Sequence, residues 1–392
     1  MERTKIGIIG IGNMGAAHAL FLHQNEVEGA VLTAVCDKRA DRREWAETRL
    51  PRVEVYEHAE DLLRSGKVDG VLIATPHYSH PELAMRAFGA GLHVLIEKPA
   101  GVYTKEVRRM NEVAARSGKV FGIMFNQRTN PLYRKMRDLV LSGEIGELRR
   151  TNWIITSWYR PQSYYDSGGW RATWAGEGGG VLINQCPHQL DLWTWITGIM
   201  PRRIRAFCHF GKHRNIEVEN DVTAYVEYEN GATGVFVTNT TEPSGTNRFE
   251  IAGDRGRLVA EGGRLQFYRF RVSESEFNRT FAGGFGEPET WRCEVPVEGE
   301  ETGHKGIVQN WVDAIRRGDP LIAPGTDGIN SLTLSNAMLL STWTDGWVEL
   351  PPDEDRFYEL LQERIRASVF KKPEGAERTL DISRSGASSG RA

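Results

Sequence analysis

The segment Gly10-Ile11-Gly12-Asn13-Met14-Gly15 constrains this chain more than any other feature. An apolar run, Ile6–Ile9, leads into it, and a helical stretch follows. The three glycines meet three different needs. The first allows a tight turn, the second lets backbone approach a pyrophosphate, and the third lets helix and strand pack closely. The helix that opens here presents free N–H groups and the positive end of its dipole to phosphates. Asp37 follows a second apolar run, Val31–Cys36, and lies 22 residues beyond Gly15. A carboxylate there bonds the adenosine ribose hydroxyls and repels a 2′-phosphate. These residues predict an NAD site that includes Gly10, Gly12, Asn13, Met14 and Asp37. Lys38 and Arg39 keep NADP open, because their charges suit a 2′-phosphate.

Short apolar runs recur at Val71–Ala74, Val94–Ile96 and Val120–Phe125. They are rich in Val and Ile, as strands buried on both faces of a parallel sheet are. Helical stretches such as Pro81–Ala90 and Lys105–Ser117 lie between them. This βαβα order predicts an α/β dinucleotide-binding Rossmann domain over 1–126. Beyond 127 the pattern changes. Leu132–Ser142 reads as a helix, and 159–180, rich in Gly, Trp and Tyr, reads as a loop. Strand-like segments follow near 203–210, 221–229, 232–239, 246–252, 256–261 and 264–272. Asn230-Gly231 marks a two-residue hairpin between two of them. Val222, Ala224, Val226 and Tyr228 alternate with more polar residues, so one face of the sheet is expected to be buried. Helices return at Ile307–Arg317, Gly328–Trp347 and Asp355–Ala367. Residues 127–370 therefore read as an α+β domain with an open, mainly antiparallel sheet, serving substrate binding and oligomerisation. Residues 371–392 read as a polar, mobile tail. Helices are expected on one side of the sheet only. The other side would expose Tyr225 and its neighbours, which predicts a homodimer or homotetramer.

Composition narrows the partners. The 392 residues suit two or three domains at roughly 100–200 residues each. A net charge of −3 offers no field that would gather nucleic acid or anionic lipid. No apolar run approaches the ~18 residues of a membrane helix. Cys36, Cys186, Cys208 and Cys293 form no CxxC pair and no zinc-finger spacing, so no metal site is expected. Free thiols, and a first strand that leaves no room for a signal peptide, point to a reduced, cytoplasmic chain.

Two further segments flank the crevice of such a sheet. Ala74-Thr75-Pro76-His77-Tyr78-Ser79-His80 follows one strand, and Gly91-Leu92-His93-Val94-Leu95-Ile96-Glu97-Lys98-Pro99 runs through the next. A third stretch, Gly178-Gly179-Gly180-Val181-Leu182-Ile183-Asn184-Gln185-Cys186-Pro187-His188-Gln189-Leu190-Asp191, lies in the second half. Together with the glycine loop, these resemble the Gfo/Idh/MocA oxidoreductases, a family that includes glucose–fructose oxidoreductase and inositol dehydrogenase. The resemblance spans roughly residues 4–350. It implies a Rossmann domain, an α+β domain, and an active site between them. It implies Lys98 and His188 as catalytic residues, and Thr75, Pro76, His77, His80, Glu97 and Lys98 beside the cofactor. Asn184 stands where many members have Asp.

The chemistry of these residues agrees with those roles. Lys98 ends a parallel strand, where ligands bind in this fold. Its ammonium can hold a substrate hydroxyl and favour the alkoxide. Asn184 and His188 are four apart and are expected to share one helix face, with Asp191 placed to orient the imidazole. Pro187 then predicts a kink just before His188. A histidine titrating near neutrality suits removal of a hydroxyl proton. Tyr159, Trp170 and Arg171 are expected to form a substrate wall, since aromatic faces stack on sugars and Arg binds hydroxyls or anions. Asn126 and Arg128 are expected to reach the substrate as well. The expected activity is hydride transfer between NAD and a secondary alcohol of a sugar, sugar derivative or cyclitol. Two alternatives stay open: an NAD-dependent glycoside hydrolase working by transient oxidation, elimination and re-reduction, and a non-catalytic NAD sensor.

Overall fold

In the computed structural model, residues 3–372 are described. The N-terminal elements are β1 (Thr4–Ile9), α1 (Asn13–His23), β2 (Ala30–Cys36), α2 (Ala40–Arg49), β3 (Glu54–Tyr56), α3 (Ala59–Arg64), β4 (Gly70–Ile73), α4 (His80–Gly89), β5 (His93–Ile96), α5 (Thr104–Ser117) and β6 (Phe121–Ile123). Their six strands form a parallel sheet in the order β3-β2-β1-β4-β5-β6. All four residues of β4 are buried, because helices cover both faces. Strand order reverses beside β1. Ligands bind in the crevice outside the carboxyl ends of the strands at such a point.

The remaining elements are α6 (Pro131–Leu141), β7 (Leu148–Ile155), α7 (Gln162–Tyr165), α8 (Pro187–Thr197), β8 (Arg203–Phe210), β9 (Glu219–Glu227), β10 (Thr233–Asn239), β11 (Asn247–Gly253), β12 (Gly256–Glu261), β13 (Arg264–Phe270), α9 (Glu274–Thr280), β14 (Thr290–Val295), α10 (Gly303–Arg317), α11 (Gly328–Thr344), β15 (Val348–Glu349) and α12 (Glu354–Ala367). Nine strands form one sheet, ordered β14-β13-β12-β11-β7-β10-β9-β8-β15. It is antiparallel except where β7 runs parallel to β10. β7 has no counterpart among the strands expected from sequence, yet it occupies the centre. Two exposed arginines, Arg149 and Arg150, interrupt its alternation near the start and hide the period. Its Trp153 stacks on Phe249 of β11 with ring centroids 4.1 Å apart, and Trp193 of α8 stacks on Phe236 of β10 at 5.5 Å. The first pair ties two neighbouring strands, and the second holds the helical layer on the sheet.

Two local expectations change. Gly231 has φ of +81°, but Asn230 does not take a positive φ. Gly231 N donates to Tyr228 O at 3.0 Å, and Tyr228 N to Ala232 O at 2.9 Å. The hairpin therefore has a three-residue loop with glycine in the left-handed position, not a two-residue one. The linear division at 126/127 also holds only for the first pass of the chain. Residues 303–324 return to the N-terminal sheet. Trp311 of α10 is fully buried there, and a Cβ on Gly70 or Gly122 would lie 2.9 or 3.4 Å from its ring. Ile123 N donates to Ala323 O at 3.1 Å. Of the expected tail, 371–392, only its first two residues fall within the described chain. Lys372 Nζ bonds the main-chain oxygens of Tyr165 and Gly168. Among the described residues no helix is long and apolar enough to cross a membrane.

Candidate active site

The glycine loop has the shape that a dinucleotide needs. Gly10 has φ of +92°, and a Cβ there would meet Ala74 O at 2.7 Å. At Gly15 a Cβ would lie 1.8 Å from Gly10 O, so only glycine lets α1 pack this close. At Gly12 a Cβ would meet nothing within 4 Å, which leaves open space where a pyrophosphate approaches. Gly12 is also the N-cap of α1 and has no side chain to satisfy the first N–H groups. Asp37 is fixed beside this turn. Its Oδ2 accepts from Ile11 N at 2.7 Å and its Oδ1 from Arg39 N at 2.9 Å. The Arg39 guanidinium pairs with Asp41 at 2.7 Å. These residues fit NAD.

Lys98 lies two residues beyond β5, at the carboxyl end of the sheet. Its Nζ donates to the main-chain oxygen of Asn184 at 2.8 Å, joining the two units. Burial pulls the ammonium below the ordinary lysine range, while the charge of Glu97 pulls it back up. Glu97 itself is buried, with Oε1 2.7 Å from His18 Nε2 and Oε2 3.2 Å from the Lys98 amide. Burial pushes its carboxyl up, but the His18 hydrogen bond and the charges of His18, His304 and Lys98 bring it down to about 2. Glu97 is thus a brace beneath Lys98.

His188 is buried and packs edge-to-face against Phe125, with ring centroids 6.2 Å apart. Its Nδ1 has no hydrogen-bond partner among the described residues, nor do the buried Asn126 Oδ1 and His18 Nδ1. Burial first, and then the charges of Lys98 and His304, push the imidazole well below its ordinary value. It is therefore neutral at pH 7, where the sequence had suggested titration near neutrality. Helix α8 begins at Pro187, with Cys186 as its N-cap. The expected kink is absent because proline occupies the first turn, where its missing N–H costs nothing. Asn184 consequently lies in the turn before the helix and not on its face. Its side-chain amide donates to Tyr164 Oη at 3.2 Å and to Glu177, while its carbonyl holds Lys98.

The structure reassigns other expected site residues. Arg128 donates to both oxygens of Asp191 at 2.6 and 2.8 Å, to Asp327 at 2.8 Å and to Ile322 O at 3.1 Å. It is buried and its donors are occupied, so it is scaffold and not a substrate contact. Asp191, spent on Arg128, does not orient His188. Both ring nitrogens of His80 lie 2.7 Å from main-chain oxygens, of Pro99 and Thr75, which leaves none for a cofactor. Tyr159 is exposed under the Arg214 guanidinium, apart from the others. Trp170 does enter the cluster, edge-to-face with His77 at 5.4 Å, and His77 Nδ1 lies 3.0 Å from Glu177 O. Thr75 and Pro76 lie at the end of β4, next to Gly10. His18, His304 and Glu177 were not anticipated. His18 and Glu177 are lone polar residues among small and apolar ones, His304 sits in a polar run, and no local spacing points to any of them.

Two sequence profiles match the chain. One, an oxidoreductase family with an NAD-binding Rossmann fold, covers residues 4–125, and the other, a GFO/IDH/MocA C-terminal domain, covers 133–259. The rhizopine catabolism protein MocA of Rhizobium meliloti is 26% identical over 341 residues, covering 86% of this chain and 94% of that protein. The myo-inositol 2-dehydrogenase of Thermotoga maritima is 28% identical over 337 residues, covering 85% of this chain and 94% of its own. Among solved structures, the WlbA dehydrogenase of Chromobacterium violaceum, in complex with NADH and UDP-GlcNAcA, superposes with a TM-score of 0.77 at 26% identity. The superposition covers 90% of this chain and 97% of that one.

The scaffold role of Arg128 has a measurable consequence. Arg128→Met strands the buried Asp191 carboxylate, and removing one partner of a buried pair costs about 3–5 kcal/mol. Urea unfolding of the variant should show a loss of that size. Unchanged stability with a raised KM would return Arg128 to the substrate site.

Proposed function

The chain belongs to the GFO/IDH/MocA oxidoreductases, and from that premise we propose that it moves hydride between NAD and a secondary alcohol of a sugar, sugar derivative or cyclitol. Its relatives include proteins named for action on inositol, and the WlbA dehydrogenase was solved with a sugar nucleotide. The observation that carries the proposal is a buried imidazole with an unpartnered ring nitrogen near a buried ammonium that is held by the turn leading into the same helix. NAD, when bound, supplies the hydride acceptor. His188 takes the hydroxyl proton, for which it must be neutral. Lys98 donates a hydrogen bond to the same oxygen as charge develops there, in a site where burial strengthens that bond. Asn184 positions Lys98 through its carbonyl. Asn126 Oδ1 offers a further acceptor for a substrate hydroxyl or the cofactor amide. Net NADH formation from the alcohol separates this activity from redox-neutral glycoside hydrolysis.

All four cysteines are unpaired, which suits the reducing cytoplasm. The sheet face away from the helices supports assembly. It presents Phe207, Tyr225, Ile154 and, at its edge, Trp347, each at least one-third exposed. The face is more mixed than alternation suggested, since Arg203–Glu227 and Arg248–Glu250 pairs cross it. A homodimer or homotetramer joined through this face would cover those rings. Light scattering at micromolar concentration should show a species larger than a monomer, and a monomer would refute the assembly.

Turnover tests the acid–base roles. His188→Ala should lower kcat by about 10²–10⁴, the usual contribution of a positioned proton acceptor. Oxidation requires neutral His188 and protonated Lys98, so kcat/KM should rise with pH through the first group and fall through the second. Burial depresses both, placing the acid limb below the ordinary imidazole value of 6.5 and the alkaline limb below the ordinary lysine value of 10.5. An acid limb above 6.5, or near-normal turnover in His188→Ala, would remove His188 from the role.

A further inference from the structure

Arg171 is built into the substrate loop in an unusual way. Its guanidinium lies over the Tyr164 ring at 4.7 Å and the Trp170 ring at 4.6 Å. Its Nη1 donates to Tyr164 Oη at 2.8 Å, a neutral acceptor. Among the described residues no carboxylate forms an ion pair with it. Glu177 feels its charge, but the Glu177 oxygens are taken by Ala172 N at 2.5 Å and the Asn184 amide. The same Tyr164 oxygen accepts from Asn184, whose carbonyl holds Lys98. Arg171 is therefore connected to the Lys98 ammonium through Tyr164, the Asn184 side chain and the Asn184 main-chain oxygen. Arg160 stacks on the same Tyr164 ring at 5.2 Å. The charges of Arg171 and Arg160 both reach Lys98 and disfavour its ammonium. Glu97 and Glu177 offset part of that field at Lys98, and neither carboxylate is paired with Arg171.

A planar guanidinium held flat by aromatic rings has already lost most of its freedom, and its fork matches a carboxylate. Among the described residues Arg171 meets no carboxylate, and an acid substrate would supply one where a neutral polyol would not. We propose that the site takes a sugar or polyol acid, a uronate or aldonate, with its carboxylate on Arg171 and the reacting hydroxyl at Lys98 and His188. The proposal rests on hydride transfer as the activity and adds the class of substrate to it.

The test uses the full chain loaded with NADH and isothermal titration with three probes: D-glucuronate, D-glucose and D-glucose 6-phosphate. Glucuronate should bind about tenfold or more tighter than glucose, as expected for a hydrogen bond to a charged group. Arg171→Met should reduce that ratio to about one, and Arg171→Lys should keep an intermediate preference, because charge remains and the fork is lost. NADH binding by each variant reports that it is folded. Glucose binding as well as glucuronate, no measurable glucuronate binding, a preference unchanged in Arg171→Met, or tighter binding of the phosphate would each overturn the proposal. NADH production from the same compounds with NAD is read separately. Tight, Arg171-dependent glucuronate binding without turnover of any secondary alcohol would leave the anion site standing and reject hydride transfer.

Discussion

Arg128 ties three separate segments together through two carboxylates. It follows the last strand of the parallel sheet, Asp191 lies on α8, and Asp327 immediately precedes α11. Asp191 lies one helical turn beyond His188, so the ion pair sets where α8 sits relative to the carboxyl ends of the N-terminal strands. Charges in such a place are tolerated only when every lone pair and donor is matched, and here Arg128 reaches two carboxylates and a carbonyl. Asn336 on α11 adds a neutral clamp, donating to Val102 O and accepting from Thr104 N. These buried polar contacts join the two units.

Within that cleft, one physical effect does two jobs. Loss of water disfavours the charged forms of both His188 and Lys98. The histidine is left neutral and ready to accept a proton, and the lysine becomes a stronger hydrogen-bond donor. Glu97 resists the same trend because His18 is bonded to it. A permanent anion under the lysine limits how far its ammonium is destabilised. His18 comes from α1, the helix whose N-terminus would face the phosphates of a bound dinucleotide, so the glycine turn and the lysine are supported through one contact.

The loop 159–180 has little regular structure beyond α7, yet it is not loosely held. Tyr165 bonds Thr240, Trp174 N bonds Glu217, and Tyr78 Oη reaches Trp174 O. Lys372 caps main-chain oxygens of Tyr165 and Gly168 from the far end of the chain. Positioned aromatic rings and guanidinium groups need such support, because a site on an unsupported loop loses the precision that recognition requires.

What the sequence determined by itself is the set of features that a few neighbouring residues dictate. Glycines at 10, 12 and 15 follow from backbone clearances within one turn, and Asp37 from the end of the adjoining strand. Hydrophobic period revealed most strands and helices, and the motifs singled out Lys98 and His188 as candidates. Tertiary structure decided the rest, because it depends on partners distant in the chain. Pro187 is compatible with either a kink or a helix start, and only the turn formed by Asn184 selects the start. Arg128 suits a substrate or a carboxylate equally, until folding brings Asp191, 63 residues away, against it. Glu97 meets His18 across 79 residues and Lys98 meets Asn184 across 86. Local spacing carries no record of such pairs, since burial and charge at a site are set by whichever segments pack there.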